Sequence, residues 1–346
     1  MTHLSRKLVL ASAAALIASL FAVAPLGAQT LCNGEVPTIQ SNEAVITGTP
    51  ERDVILAGSG DNNIRALGGD DVICAGSGND TVAGNAGADV IFGEDGNDVI
   101  RGGPGADDIF GGSGDDELRG ALGNDEIHGN GGSDEIRGGA RHDTIFGGND
   151  DDQIFGSPGN DLIEGGDGDD VIFGGRDDDQ ISGGSGADAI DAGNGDDQVS
   201  GNSGDDDILG GLGDDFINGG GGADHLLGDD GLAFDEPINS GIEHPGGNDT
   251  IIGGGGPDYL GGEGGNDVLS GRTGLDVVDG FHGDDIVSGD NANDLLSGGT
   301  GDDQLDGGLG VDQCWPELVV LSDGSIAGIN PDDNFAGCEQ VNQVLN

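Results

Sequence analysis

The chain has 346 residues, of which 76 are Gly and 10 are Pro, and it carries 67 acidic against ten basic side chains for a formal net charge of −57. A field of that sign repels nucleic acid and anionic membranes, so neither is expected as a partner. Aromatic residues make up 3% of the chain, too few for an ordinary globular core of this length, so a conventional enzyme is not expected.

In chain order, His3, Arg6 and Lys7 come first, then the apolar run Leu8 to Val23, then Leu26-Gly27-Ala28 before Gln29. A basic start, an apolar stretch and a small-residue cleavage site predict an export signal over residues 1–28. An uncleaved anchor is the weaker alternative, because Ser12, Ser19 and Pro25 shorten and break the span. A lipid anchor at Cys32 is weaker again, since Gln29-Thr30-Leu31 lacks the small residues such processing prefers. No later segment is apolar enough to span a bilayer, so the expected location is secreted or extracellular, free or attached to a cell surface. An exported chain with four cysteines, Cys32, Cys74, Cys314 and Cys338, suggests two disulfides. Of the three connectivities, Cys32–Cys74 with Cys314–Cys338 is favoured because each ties a terminal segment to its neighbour. Zinc is the weak rival, as no Cys-x-x-Cys spacing exists.

Residues 29–47 read as an N-terminal cap, and beyond them the chain repeats with a period of nine. From Gly102 it runs GGPGADDIF, GGSGDDELR, GALGNDEIH, GNGGSDEIR and on in phase. The phase holds over residues 48–227 for 20 units and returns over 244–315 for eight. Position six is Asp in 27 of the 28 units, Asn62 being the exception, and position eight is Ile, Leu or Val in 27, with Cys314 in the last. Position four is Gly in 23 units and departs at Glu51, Arg141, Asp150, Asp177 and Ala292. Low-complexity acidic sequence would not hold two residue classes in fixed phase for this long.

Each unit has a Gly-rich half suited to positive φ and a three-residue half suited to a short strand. Two units per turn, with parallel strands stacked on two facing walls, bury position eight between the walls. Residues 18 apart then stack at about 4.8 Å. Ile91, Ile109, Ile127 and Ile145 form one ladder and Ile100, Leu118, Ile136 and Ile154 the other. The same stacking places position-six aspartates in columns, Asp89, Asp107, Asp125 and Asp143 on one edge and Asp98, Asp116, Asp134 and Asp152 on the other. Unit charges ~4.8 Å apart repel by about 1 kcal/mol in water and roughly 3.5 kcal/mol at an effective dielectric of 20. Summed over two columns this exceeds a typical domain stability of ~5–15 kcal/mol, so the folded form needs cations between turns. Oxygen ligands from carboxylates and flexible Gly loops suit calcium better than octahedral magnesium.

GGxGxDxUx, present as GGPGADDIF and GGSGDDELR, resembles the calcium-binding nonapeptide repeat of the repeats-in-toxin (hemolysin-type) proteins, over 252 of the 346 residues. The resemblance implies an all-β fold, a parallel β-roll solenoid with calcium held between successive turns by the Asp and by loop carbonyls. Carried over by position, the implied ligands are Asp71, Asp80, Asp89, Asp98, Asp107, Asp116, Asp125, Asp134, Asp143, Asp152, Asp161, Asp170, Asp179, Asp188, Asp197, Asp206, Asp215 and Asp224 in the first array. In the second they are Asp249, Asp258, Asp267, Asp276, Asp285, Asp294 and Asp303. If each site needs two units of one column, the two arrays hold at most about 24 Ca2+ ions. Members of this family often carry an uncleaved C-terminal secretion signal, whereas this chain has an N-terminal one.

Residues 228–243 (GDDGLAFDEPINSGIE) break the phase, as a loop excursion from one roll or as a linker between two. After Trp315 the repeat is lost, and residues 316–346 read as a C-terminal cap with a strand over Leu318 to Leu321 and Trp315 as a lid. Position nine points outward, with Phe92, Phe110, His128 and Phe146 on one wall and Arg65, Arg101, Arg119 and Arg137 giving way to Phe155 and Phe173 on the other. The plain reading is cross-strand support and the sharper one a partner-binding face. His128, His142, His225, His244 and His282 hold different repeat positions and form no ligand set. No GxSxG, HExxH, EF-hand loop or GK[ST] occurs, so no catalytic residues are assigned. The predicted function is an exported calcium-binding repeat protein with a structural, surface or matrix role. The alternative is a calcium-rigidified adhesion module binding through the Phe-bearing wall, and a repeat-fold enzyme is the weakest reading.

Overall fold

A three-residue apolar stretch cannot bury itself, and the Gly-rich stretch beside it leaves N–H and C=O groups that also need partners. Stacking identical turns satisfies both. The computed structural model describes residues 31–229, 246–315 and 334–338. Among these, 31 strands run from β1 (Ile39–Gln40) to β31 (Asn334–Ala336). The odd-numbered strands form one 16-stranded sheet and the even-numbered ones a 15-stranded sheet. All pairing is parallel and steps by 18 residues through the regular turns. For example, β11 (Glu126–Gly131) lies between β9 (Asp108–Ser113) and β13 (Thr144–Asn149), with Ile127 opposite Ile109 and Ile145. This is the all-β, parallel β-roll solenoid.

Interior strands are longer than the three residues expected. β9, β11 and β13 each span six, continuing into the Gly-rich half of the next unit. The reason is that an 18-residue step brings each turn's Gly-rich half into register with its neighbour's, as in Asn130 opposite Gly148. The three-residue form survives towards the two ends, as in β3 (Val54–Leu56) and β29 (Gln304–Asp306), and in the even-numbered sheet on both sides of the phase break.

The position-eight side chains form one continuous buried core from Ile46 to Cys314, with Ile91, Ile109, Ile127 and Ile145 fully buried. Each such side chain stabilises the fold by about 1.5–3 kcal/mol. Both sheets pass the phase break: β21 (Phe216–Gly221) pairs with β23 (Thr250–Gly255), Ile217 facing Ile251 at a step of 34 instead of 18. β22 (His225–Leu227) likewise pairs with β24 (Tyr259–Gly261). Most of the excursion lies outside the described residues, but its root is spliced into a turn, since the backbone N–H of Gly247 donates to Asp229 Oδ1 at 3.1 Å.

At the front, β1 pairs with β3, and β2 (Val45–Thr47) pairs with β4 (Asn63–Arg65). The cap thus extends the sheets. A second apolar cluster of Cys32, Val54, Val72 and Cys74 sits there, tied by the Cys32–Cys74 disulfide. At the far end β31 returns to pair with β29, and Cys314 is bonded to Cys338. Both disulfides are the favoured pairs. The predicted signal segment, the strand over Leu318 to Leu321, the Trp315 side chain and His244 lie outside the described residues.

Candidate metal centre

The position-six aspartate closes the Gly-rich half of its unit, just before the strand. Its backbone carbonyl accepts from the N–H of the residue 19 further on, as Asp107 does from Glu126 at 2.8 Å. Its Oδ1 accepts from the position-six N–H of the preceding turn, as Asp125 Oδ1 does from Asp107 (2.9 Å) and Asp134 Oδ1 from Asp116 (2.8 Å). The ladder crosses the phase break unbroken, with Asp249 Oδ1 accepting from Asp215 and Asp258 Oδ1 from Asp224. All 25 predicted aspartates lie in these two columns, each at most 3% exposed.

One oxygen is thereby satisfied. For the position-six aspartates from Asp71 to Asp294, and for Asp312, Oδ2 is buried and accepts no hydrogen bond. Leaving so many buried acceptors unsatisfied is costly. Burial is also the first reason these carboxyls are pushed up, to about 7 at Asp107, Asp116 and Asp143 and to about 8 at Asp152, Asp215 and Asp267. The backbone N–H on Oδ1 partly offsets this, and carboxylates of neighbouring turns add to it. A buried anion in this position requires a proton or a cation.

In the glycine units Oδ2 packs against the position-one glycine. A Cβ placed on Gly156 would stand 2.7 Å from Asp161 Oδ2 and 2.6 Å from the Gly174 carbonyl oxygen. On Gly210 it would stand 2.5 Å from Asp215 Oδ2 and 2.5 Å from the Gly228 carbonyl oxygen. Position one therefore has no room for a side chain, because an added Cβ would press on the carboxylate oxygen of its own unit and on a backbone carbonyl of the next turn. At the phase break Gly228 takes the position-one place beside Asp249. Among the described residues no group of three His, Cys, Asp or Glu side chains is arranged to hold an ion. The donors that the columns could offer a cation are carboxylate and backbone carbonyl oxygens, a wholly oxygen set of the kind calcium takes.

Four of the five units that depart from Gly at position four keep its backbone, Glu51 being the exception. Arg141 (φ 89°), Asp150 (72°), Asp177 (71°) and Ala292 (104°) all adopt the left-handed conformation. Two position-six aspartates fell outside the predicted set. Asp312 continues its column, with Oδ1 accepting from Asp294 at 3.0 Å, and its place in phase was the available sign. Asp53 differs: Oδ1 accepts from Thr38 Oγ1, and Oδ2 from the Thr49 N–H and hydroxyl, so the cap uses both oxygens.

Sequence reasoning also missed a second, exposed ladder at position five, where the bond runs the opposite way. The Asn97 N–H donates to Asn79 Oδ1, Ser133 to Asp115, and Asn160 to His142 Nδ1. Asp or Asn at this position in 18 of 28 units was its sign. The histidines do not converge. His128 stacks between Phe110 and Phe146 at 4.8 and 4.7 Å, and His225 bonds Asp207 at 2.8 Å. Phe92 stacks on Phe110 at 4.9 Å, and the Arg137 guanidinium lies 4.1 Å over the Phe155 ring, where the two position-nine rows change character.

The family model for the RTX calcium-binding nonapeptide repeat matches the chain in ten overlapping or adjoining stretches, from 47–82 to 279–314, with only 232–245 left out between them. No curated protein matches the chain.

Proposed function

Because the chain belongs to the RTX calcium-binding nonapeptide repeat family, and so is a calcium-binding repeat protein, we propose that it is an exported structural protein whose β-roll forms when calcium binds along the two aspartate columns. The observation that carries this reading is the buried Oδ2 without a hydrogen-bond partner, repeated down both columns. The proposed ligands are the 25 aspartates from Asp71 to Asp303 named above, with Asp312 added. Calcium supplies the positive charge that lets neighbouring turns bring buried carboxylates together. The chain's own contribution is the two-point grip on the aspartates, by the N–H on Oδ1 and the backbone carbonyl bond, which fixes the direction of Oδ2.

Ions that bind only the stacked form shift the folding equilibrium by mass action, so calcium concentration sets the folded population. A low-calcium compartment then keeps the chain unfolded before export, and the calcium-rich exterior folds it. The N-terminal segment and the two disulfides support an oxidising, extracellular location. We assign the chain a surface or matrix role and no catalytic step, since the columns present no nucleophile and no acid–base pair in a substrate cleft. Continuous sheets raise the ceiling from about 24 to about 26 ions, because the columns join across the phase break.

The test is circular dichroism of the disulfide-intact chain during a calcium titration from chelator upward. A cooperative rise of β signal that equal magnesium does not reproduce is expected. A fully folded spectrum in chelator would remove the calcium switch and leave a constitutive scaffold. A second reading, adhesion through the Phe-bearing position-nine wall, is favoured by the continuous half-exposed ring stack of Phe92, Phe110, His128 and Phe146. Replacing Phe92, Phe110 and Phe146 with Thr would abolish retention on cells or matrix under that reading and leave it unchanged under the first.

A further inference from the structure

In the interior strands positions seven, nine and two face outward, as in β10 (Glu117–Leu122), where Leu118 and Gly120 are buried and Glu117, Arg119 and Ala121 are not. On the outer face of the even-numbered sheet, position nine carries Arg65 and then, on five successive strands, Arg101, Arg119, Arg137, Phe155 and Phe173. These planar groups stack along the axis. The Arg137 guanidinium lies 4.1 Å over the Phe155 ring, and the Phe155 and Phe173 rings are 5.1 Å apart. Position two beside the row is Gly103, Ala121, Gly139, Ser157 and Gly175, so the row borders a shelf without long side chains. From residue 65 to residue 176 no carboxylate occupies position nine, two or three on this sheet. The same positions of the odd-numbered sheet hold Glu94, Asp95, Glu164 and Asp167. Five of the chain's ten basic residues, Arg176 included, fall on this strip. Arg119 and Arg137 pair with Glu117 and Glu135 of their own strands, yet their side chains stay 46% and 41% exposed.

A basic strip on a molecule of net charge −57 selects an anionic partner, and its pitch selects one that repeats at the same step. The chain itself contains such a row. Position five reads Asp178, Asp196 and Asp214 on successive turns, the only run of three exposed carboxylates at this step among the described residues. Each is held by one oxygen. Asp178 Oδ1 accepts from the Asp196 N–H at 3.1 Å, Asp196 Oδ1 from Asp214 at 3.1 Å, and Asp214 Oδ1 from Asn248 at 2.9 Å. Turns stacked at one step put both rows on one pitch, so three guanidinium groups of one molecule match three carboxylates of another in register. The acidic run is flanked at position five by Asn160 and His142 on one side and by Asn248 and Asn266 on the other. In either direction of approach, Phe155 and Phe173 therefore meet side chains without a carboxylate.

We propose that calcium-loaded rolls associate side by side, the strip of Arg101, Arg119 and Arg137 on one molecule docking on the row of Asp178, Asp196 and Asp214 of a second copy. The inference rests on the calcium-driven reading above, since calcium along the buried columns offsets most of the charge that otherwise holds copies apart. The contact is heterologous, so each molecule uses both surfaces and the association extends beyond a pair, as a surface or matrix component requires.

The test is sedimentation velocity of the disulfide-intact chain in saturating calcium. At low salt the parent is expected to form species heavier than a monomer, and to return to monomer at high salt because exposed charges are screened. R101Q/R119Q/R137Q and D178N/D196N/D214N are each expected to stay monomeric with the parent's circular dichroism. Asparagine keeps the position-five ladder, as Asn79 does for Asn97. An equimolar mixture of the two variants holds one intact strip and one intact row, and is expected to give a one-to-one complex that grows no further. A folded parent that is monomeric at every concentration, variants that assemble like the parent, or a mixture without a complex overturns the inference and leaves the calcium-driven roll standing. A parent that stays unfolded in calcium overturns the roll reading and this inference with it. A monomeric parent that binds immobilised polygalacturonate, with that binding lost in R101Q/R119Q/R137Q, assigns the strip to an anionic polysaccharide and overturns the second copy as its partner.

Discussion

At the scale of single residues, the position-six carboxyl is held so that its stable state depends on what accompanies its charge. Folding without metal raises its pKa, above all through burial, to about 7 at Asp107 and about 8 at Asp152. A carboxyl whose folded pKa lies above its unfolded value contributes stability below the unfolded pKa, near 4, and loses it as pH rises through the folded value. In chelator, the β signal should therefore grow as pH falls from 8 to 5. A pH-independent chelated spectrum would contradict this. With calcium the sign reverses, because protons compete for Oδ2, so calcium titrations at pH 5.5 should need more ion than at pH 7.5. Position four makes a separate prediction. Arg141 and Asp177 hold left-handed backbone that costs a non-glycine residue about 1–2 kcal/mol. Arg141→Gly and Asp177→Gly should each stabilise the calcium-loaded roll by about 1 kcal/mol, read as a higher denaturant midpoint.

At the scale of strands, the two rows flanking the fold divide the work unequally. The inward ladder is fully buried at Ile109, Ile127 and Ile145, whereas the outward Phe92–Phe110–His128–Phe146 stack is half-buried. Truncating Ile127 to Ala should cost about 2–5 kcal/mol, since the rigid stack above and below cannot collapse into the cavity. Phe110→Ala should cost less, about 1 kcal/mol, because solvent fills the gap and only ring stacking is lost. Equilibrium unfolding in calcium compares the two, and an equal cost would mean the outward stack is as much a core as the inward one. Six-residue strands explain why such losses stay local. Through the interior turns both halves of a unit are bonded to the turns above and below, so a damaged turn there is still held on both sides.

At the scale of the whole molecule, the roll behaves as a one-dimensional stack in which each turn meets only its neighbours. Its ends are therefore its weak points, and both are stapled, over separations of 42 and 24 residues. Replacing Cys32 and Cys74 with Ser should lower stability by about 2–4 kcal/mol in calcium and expose the front turns to exchange first. If exchange instead began in the middle of the stack, the ends would not limit stability. The net charge of −57 acts on every turn at once, which is why no single residue can replace the cation.

The nine-residue phase was enough to establish the roll, the step of 18, the identity of the buried ladder and the two columns of aspartates. Each follows from one repeated unit, because identical turns can stack in register in only one way. The oxygen chemistry of the columns pointed to calcium for the same reason. Other features required the tertiary structure. That both sheets continue across 228–243 depends on strands 34 residues apart meeting, which no local pattern encodes. That Asp53 spends its carboxylate on Thr38 and Thr49 while Asp312 continues the column depends on what packs at each end. The role of position one is a matter of packing too. Gly and Ala look interchangeable in the repeat, and only the stacked turns reveal that a Cβ at this position falls between an aspartate oxygen of its own unit and a carbonyl of the next turn.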